Sequence, residues 1–273
     1  MSQLIKKENY QLACQIFGSG DSKLLAFHGY GQENSIYQNI APAFPNHTIY
    51  SIDLFFHGKS EWHDGLDSLN FAYWEKIIKD FMFENQIDTF DLLGFSMGGR
   101  IALITASLFA TKVQMLYLLA PDGIEINAWY RVATKFSSLQ HIFKYFTHSE
   151  TNIYKKVVKN LGKYGLVHKT VLKLAETEMA TPKKRRRVYQ TWMLYRFLEI
   201  ERKKLAEIFN KHQVGVKIFL GKYDRLIHIQ TVKSFTHLLE KSEIEILDCG
   251  HHKLVQAVME KLSSSYEGSY IRK

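Results

Sequence analysis

Residues 90–100 read Phe-Asp-Leu-Leu-Gly-Phe-Ser-Met-Gly-Gly-Arg, and Ser96 is the residue of this run that could do chemistry. An apolar, strand-type stretch from Phe90 to Phe95 leads straight into Gly-Phe-Ser-Met-Gly, and a helix-forming stretch from Arg100 to Ala110 follows at once. Strand, sharp turn with a serine at its tip, then helix is the nucleophile-elbow arrangement. Such a serine sits in a strained backbone region, so the residues two positions away must be small. Gly94 and Gly98 meet that demand, and Gly99 lets the helix approach the sheet closely. A serine hydroxyl is a weak nucleophile at neutral pH and works only when a neighbouring base takes its proton.

The elements that must position Ser96 follow from hydrophobic periodicity. Residues 8–17 read as one or two antiparallel edge strands, and Lys23–Phe27 as a short strand running into His28-Gly29-Tyr30-Gly31. A short helix is expected over Ser35–Phe44, and a strand over Thr48–Leu54 that leads into His57-Gly58-Lys59-Ser60. Trp74, Ile77, Ile78 and Phe81 recur at helical spacing within 69–84. Val113–Leu119 is a further strand, closed by Pro121-Asp122-Gly123. Alternating strands and helices over 20–120 imply βαβ units and a mainly parallel sheet. The alternation then stops until Val214–Leu220, whereas a plain crossover needs about a dozen residues. Residues 127–210 therefore read as an inserted helical cap, between core segments 1–126 and 211–273. A helix near 231–240, a strand over 243–247 and a final helix with Leu254, Val255, Val258, Met259 and Leu262 as its buried stripe complete the core.

With 273 residues, 46% hydrophobic and 14% aromatic, the chain can hold one large α/β domain carrying an insertion. Cys14 and Cys249 are too far apart in sequence to suggest a metal or disulfide pattern, and no His-Glu-x-x-His spacing occurs among the twelve histidines. No metal or other cofactor is called for. The first ten residues carry lysines with no apolar run behind them, and no stretch approaches membrane-spanning length, so a cytoplasmic protein without a membrane span is expected. The net charge is +9, but 127–210 holds 18 Lys and Arg against 6 Glu and no Asp, an excess of 12 that leaves the remainder at −3. The basic run Lys183-Lys184-Arg185-Arg186-Arg187 has Val188, Trp192 and Tyr195 following at helical spacing. A solvated helix face is expected there rather than a nucleic-acid patch. The cap aromatics Trp129, Tyr130, Phe136, Phe143, Tyr189, Trp192, Tyr195 and Phe197 are expected mostly to form the cap's own core. Oligomeric state is not legible.

Four landmarks in order resemble the α/β-hydrolase superfamily: His28-Gly29, Asp53 with His57-Gly58-Lys59-Ser60, the elbow, and Asp224 with His251 after the last two strands. The likeness covers about residues 8–126 and 211–265, and matches the cap by position alone. It implies an eight-stranded, mainly parallel sheet flanked by helices, in a capped serine hydrolase. It also implies Ser96 as nucleophile, His251 as base with His252 as competitor, and Asp224 as orienting acid with Asp122 as rival. The backbone N–H groups of Tyr30 and Met97 would form the oxyanion hole. His28 and His57–Ser60 would hold loops.

The reaction expected on this resemblance is hydrolysis of a carboxylic ester or thioester of a small molecule through an acyl-enzyme. Arg100 lies one helical turn after Ser96. The elbow is similar to that of the menaquinone-pathway synthase that eliminates pyruvate, where the arginine here binds substrate carboxylates. An anionic substrate, and with it a lyase reaction, is therefore an alternative. Two more stay open: a C–C bond hydrolase and a non-catalytic ligand receptor. Tying the elbow helix to an acidic neighbour is the other use for Arg100.

Overall fold

The structure, a computed structural model, describes residues 1–126, 128–149 and 176–270, with the side chains of 128–129 and 266–270 outside that description. The described residues divide into two compact units, one of Met1–Asp64, Phe71–Glu125 and Leu198–Lys273, the other of Gly65–Asn70 and Ile126–Phe197.

The first unit is built on a sheet. Its strands are β1 (Ser2–Lys6), β2 (Tyr10–Phe17), β3 (Ser22–Phe27), β4 (His47–Ile52), β5 (Glu61–Trp62), β6 (Phe90–Phe95), β7 (Val113–Leu119), β8 (Gly215–Gly221) and β9 (Ser242–Leu247). Their order is β1-β2-β4-β3-β6-β7-β8-β9, with β5 paired to β2 off this path. The family resemblance implies eight strands; the described residues form nine, one of them the two-residue β5, too short to carry a periodic signal. Strands β1 and β2 run antiparallel to their neighbours, whereas β4, β3, β6, β7, β8 and β9 are mutually parallel.

Helices α1 (Phe71–Glu84) and α2 (Met97–Leu108) flank this sheet. In α1 the stripe of Trp74, Ile77, Ile78 and Phe81 is buried, and full burial of each such side chain contributes about 1.5–3 kcal/mol. Trp74 Nε1 donates to Thr105 Oγ1 of α2 at 2.9 Å, so the indole's polar edge is satisfied within the core. The expected helix over 35–44 is instead two 3₁₀ turns, Asn34–Tyr37 and Ala41–Ala43, with Pro42 opening the second. The last helix, Leu254–Tyr270, buries Leu254, Val255 and Val258.

Apart from the irregular stretch Gly65–Asn70, the second unit is mainly helical where described. It contains α3 (Ala128–Lys135), α4 (Ser137–His148) and α5 (Pro182–Leu194). Of the expected cap, residue 127, residues 150–175 and the Trp129 side chain lie outside the described residues. Rings of Tyr130 and Trp192 (5.2 Å), Phe143 and Trp192 (5.3 Å), and Phe143 and Tyr189 (5.4 Å) pack together, forming an interior for this unit. Phe136 and Phe197 are instead exposed.

The basic run is not wholly a solvated face. Arg185 is buried and donates to the carbonyls of Met179 (3.2 Å) and Ser149 (2.8 Å). Arg187 pairs with Glu178 at 2.8 Å. From Leu198 the chain packs with the sheet unit, earlier than residue 210. There α6 (Arg202–His212) buries Leu205, Ala206 and Phe209, and the Phe209 ring lies 6.4 Å from Phe235 of α7 (Ile229–Thr236). No helix among the described residues is long and apolar enough to cross a membrane.

Candidate active site

Ser96 stands between β6 and α2 with φ 52° and ψ −117°, a left-handed conformation unusual for a side chain other than glycine. Close packing explains the glycines around it. A Cβ at Gly94 would lie 2.4 Å from the Gly98 carbonyl oxygen, and one at Gly98 would lie 2.1 Å from that of Phe27. At Gly99 it would meet Pro121 at 2.6 Å. The strained turn is held by hydrogen bonds: Ser96 N–H donates to Leu119 O (2.9 Å), while Ser96 O accepts from Gly99 N–H (2.8 Å) and Asp122 N–H (2.9 Å).

Asp224 and His251 come from the loops after β8 and β9, and those loops are stitched together. Lys222 N–H donates to Leu247 O (2.8 Å), and Tyr223 N–H to Cys249 O (3.0 Å). His251 Nδ1 and Asp224 Oδ2 are then 2.6 Å apart, with the carboxylate side chain 1% exposed and the imidazole 10%. Asp224 Oδ1 accepts from Leu226 N–H (2.8 Å) and Ile227 N–H (3.1 Å). Burial pushes the Asp224 carboxyl up, but the His251 hydrogen bond and charge and these backbone donors outweigh it, holding the carboxyl below its ordinary value. With Nδ1 turned to the acid, the lone pair of a neutral His251 ring is on Nε2. The ring packs against Phe95, the residue before Ser96, at 4.9 Å between centroids. His252 is exposed, its ring 5.9 Å from that of His251.

The remaining site residues also have places. Asp122 is not the partner of His251 here; it forms an ion pair with Arg100, which is 7% exposed. Met97 opens α2, so its N–H belongs to the first turn, whose donors have no acceptor within the helix. Tyr30 lies on the loop after β3, where Gly29 N–H donates to Gln32 Oε1 (3.0 Å) and Gly31 N–H to His57 Nε2 (3.0 Å). A Cβ at Gly29 would lie 3.0 Å from the Phe95 ring, so this loop closes on the elbow strand.

Both buried histidines hold loops through the same tautomer. His28 Nδ1 faces Gly29 O (2.8 Å) and its Nε2 accepts from Leu54 N–H (3.0 Å); His57 Nδ1 faces Phe55 O (3.1 Å). Asp53 accepts from Asn34 N–H (2.6 Å) and Lys59 N–H (2.9 Å), and Ser60 Oγ from Ala13 N–H (2.9 Å). The sequence gives no cue to Phe95 as the floor for His251 or to the Asp122 N–H on Ser96 O. Both contacts join segments that only the sheet order brings together.

The model of the alpha/beta hydrolase fold family matches residues 24–257. Monoacylglycerol lipase ABHD6 of Bos taurus is 19% identical over 277 residues, covering 92% of this chain and 77% of that protein. A Mycoplasma pneumoniae protein whose name proposes an esterase/lipase is 25% identical over 96 residues, 34% of this chain, and the match spans only 35% of that protein's length. Among solved structures, a thermophilic esterase from Thermogutta terrifontis with malate bound aligns with a TM-score of 0.68 at 13% identity, over 99% of this chain and 98% of that one. The thioesterase domain from the curacin biosynthetic pathway aligns at 0.63 with 15% identity, over 96% and 98%. At these identities the structural likeness concerns the fold alone. With its elbow, strand order and family model in agreement over most of its length, the chain belongs to the alpha/beta hydrolase fold family, and the relatives named here are hydrolases.

Proposed function

We propose that the chain is a serine hydrolase that cleaves a carboxylic ester or thioester of a small molecule through an acyl-enzyme. The observation that carries this reading is the Asp224–His251 hydrogen bond, whose imidazole rests on the residue preceding a left-handed Ser96. Ser96 Oγ attacks the substrate carbonyl carbon while His251 Nε2 takes its proton. The negative charge that forms on the carbonyl oxygen is met by the N–H groups of Met97 and Tyr30. His251 then returns the proton to the departing alkoxide or thiolate, and water, activated by the same imidazole, releases the acid and frees Ser96. Asp224 holds the ring and stabilises its cationic form throughout.

The helical second unit, placed in the chain between β7 and β8, is read as the family's inserted cap. The pairing of the buried Arg100 with the partly exposed Asp122 withdraws the support that Arg100 lent to an anionic substrate and to a pyruvate-eliminating lyase. Esterase and lipase names among the relatives favour the ester reading over C–C hydrolysis. The test is labelling with a fluorophosphonate, beside turnover of p-nitrophenyl esters and thioesters of graded chain length. Wild type should be labelled and turn over at least one ester, and Ser96→Ala should abolish both. A folded wild type that resists the probe and every ester would favour a non-catalytic receptor instead.

A further inference from the structure

The peptide that links Ser96 to Met97 has its carbonyl and its N–H pointing in opposite directions, as every trans peptide does. Whatever grips Ser96 O therefore aims Met97 N–H. One grip is Gly99 N–H, at 2.8 Å within the same turn; the other is Asp122 N–H, at 2.9 Å from the segment after β7. That segment is itself tied to α2. The Asp122 carboxylate pairs with the Arg100 guanidinium. Gly123, at φ 102°, lies so close that a Cβ there would stand 2.8 Å from Arg100 Cβ and Cγ. Pro121 packs on Gly99 just as tightly. Ser96, α2, Arg100 and Asp122 thus form a closed ring around one peptide.

On the serine-hydrolase reading above, we propose that the Arg100–Asp122 ion pair is a positioning device for the oxyanion-binding peptide. Neither residue touches substrate. Arg100 holds Asp122 so that its backbone N–H fixes the Ser96 carbonyl, which aims the Met97 N–H at the developing oxyanion. A hydrogen bond to the carbonyl also polarises the peptide and makes its N–H the stronger donor. The Asp122 side chain is 29% exposed, so solvent screening keeps the pair's share of global stability small. Its loss should appear in kcat first.

The test compares Asp122→Asn, Arg100→Met, the double variant and Arg100→Lys with wild type. It measures kcat and KM on the p-nitrophenyl ester that wild type turns over best, affinity for a trifluoromethyl ketone that forms an oxyanion on the enzyme, and the thermal midpoint. In Asp122→Asn and Arg100→Met we expect kcat to fall about 10- to 100-fold with KM nearly unchanged. Ketone affinity should fall in proportion to kcat/KM, the double variant should be no worse than either single one, and Arg100→Lys should recover part of the loss. Unchanged kcat, losses that multiply in the double variant, or a rise in KM confined to acidic esters would overturn the proposal, the last pointing to Arg100 as a substrate contact. Should Arg100→Met fail to fold, Asp122→Asn and Arg100→Lys decide alone. A wild type without ester turnover or probe labelling sinks the function reading and this proposal with it. An active wild type whose Asp122→Asn variant keeps full kcat sinks this proposal only.

Discussion

His251 Nδ1 lies 2.6 Å from Asp224 Oδ2, while the acid's other oxygen is already occupied by two backbone N–H groups. The carboxylate is thus locked in rotation and has one oxygen left for the imidazole. Asp224→Asn should fold normally yet lower kcat about 10⁴-fold, because an amide nitrogen at Oδ2 donates where the acid accepted and favours the wrong tautomer. Turnover and the thermal midpoint, measured together, check this. A loss under about tenfold would mean that another group orients the base.

The depressed Asp224 carboxyl gives a pH signature of known sign. Its folded-state value lies below the ordinary 3.8, so its stabilising contribution is fully present above that value and is lost as pH falls through the folded one. Urea titrations of wild type and Asp224→Asn from about pH 6 down to about pH 2 should show the wild-type advantage shrinking only below about pH 4. An advantage that fades already between pH 5 and 6 would contradict a carboxyl held in this way.

His251→Ala and His252→Ala separate two adjacent rings. Only His251 faces the acid, and His252 is exposed. The first substitution should cost about 10³-fold or more in kcat, and the second less than about threefold. Esterase assays under matched folding, judged by circular dichroism, decide between them. Equal losses would remove His251 as the base.

Gly98→Ala should be the most damaging single-methyl change near the elbow. The added carbon would lie 2.1 Å from Phe27 O and 2.6 Å from His28 O, both backbone atoms that cannot swing aside. Overpacking of this kind costs about 1–3 kcal/mol, and here it also pushes away the loop that carries Tyr30. Urea unfolding of Gly98→Ala beside Gly65→Ala, where nothing lies within 4 Å of the new carbon, measures the contrast. Equal midpoints would show that the elbow yields more easily than its packing implies.

The elbow is legible in the sequence because every constraint on it is local. A strand-type run, a tight Gly-x-Ser-x-Gly and a helix-type run occupy consecutive residues, and each strand end that carries Asp224 or His251 shows its own periodic signal. Contacts between distant segments leave no such trace. Arg100 and Asp122 meet because β7 lies beside β6 in the sheet, an adjacency that spacing along the chain does not reveal. The start of β1 at Ser2 escapes periodicity because an edge strand buries little, here only Ile5 fully. The helix α6 resembles those before it in composition, and its partners in the sheet unit, such as Phe235, lie far from it along the chain.

The strand order has a consequence for how the protein wears out. Strand β6, which delivers Ser96, lies between β3 and β7, whereas β9, which leads to His251, has β8 as its only sheet neighbour among the described residues. Strand β9 is also partly open to solvent, with Ile246 51% exposed. Margins of a sheet open at lower free energy than its middle. Under mild heat or denaturant, β9 and the loop that carries His251 should therefore open before the turn at Ser96. A loss confined to that margin should reverse on cooling, as β9 pairs again with β8.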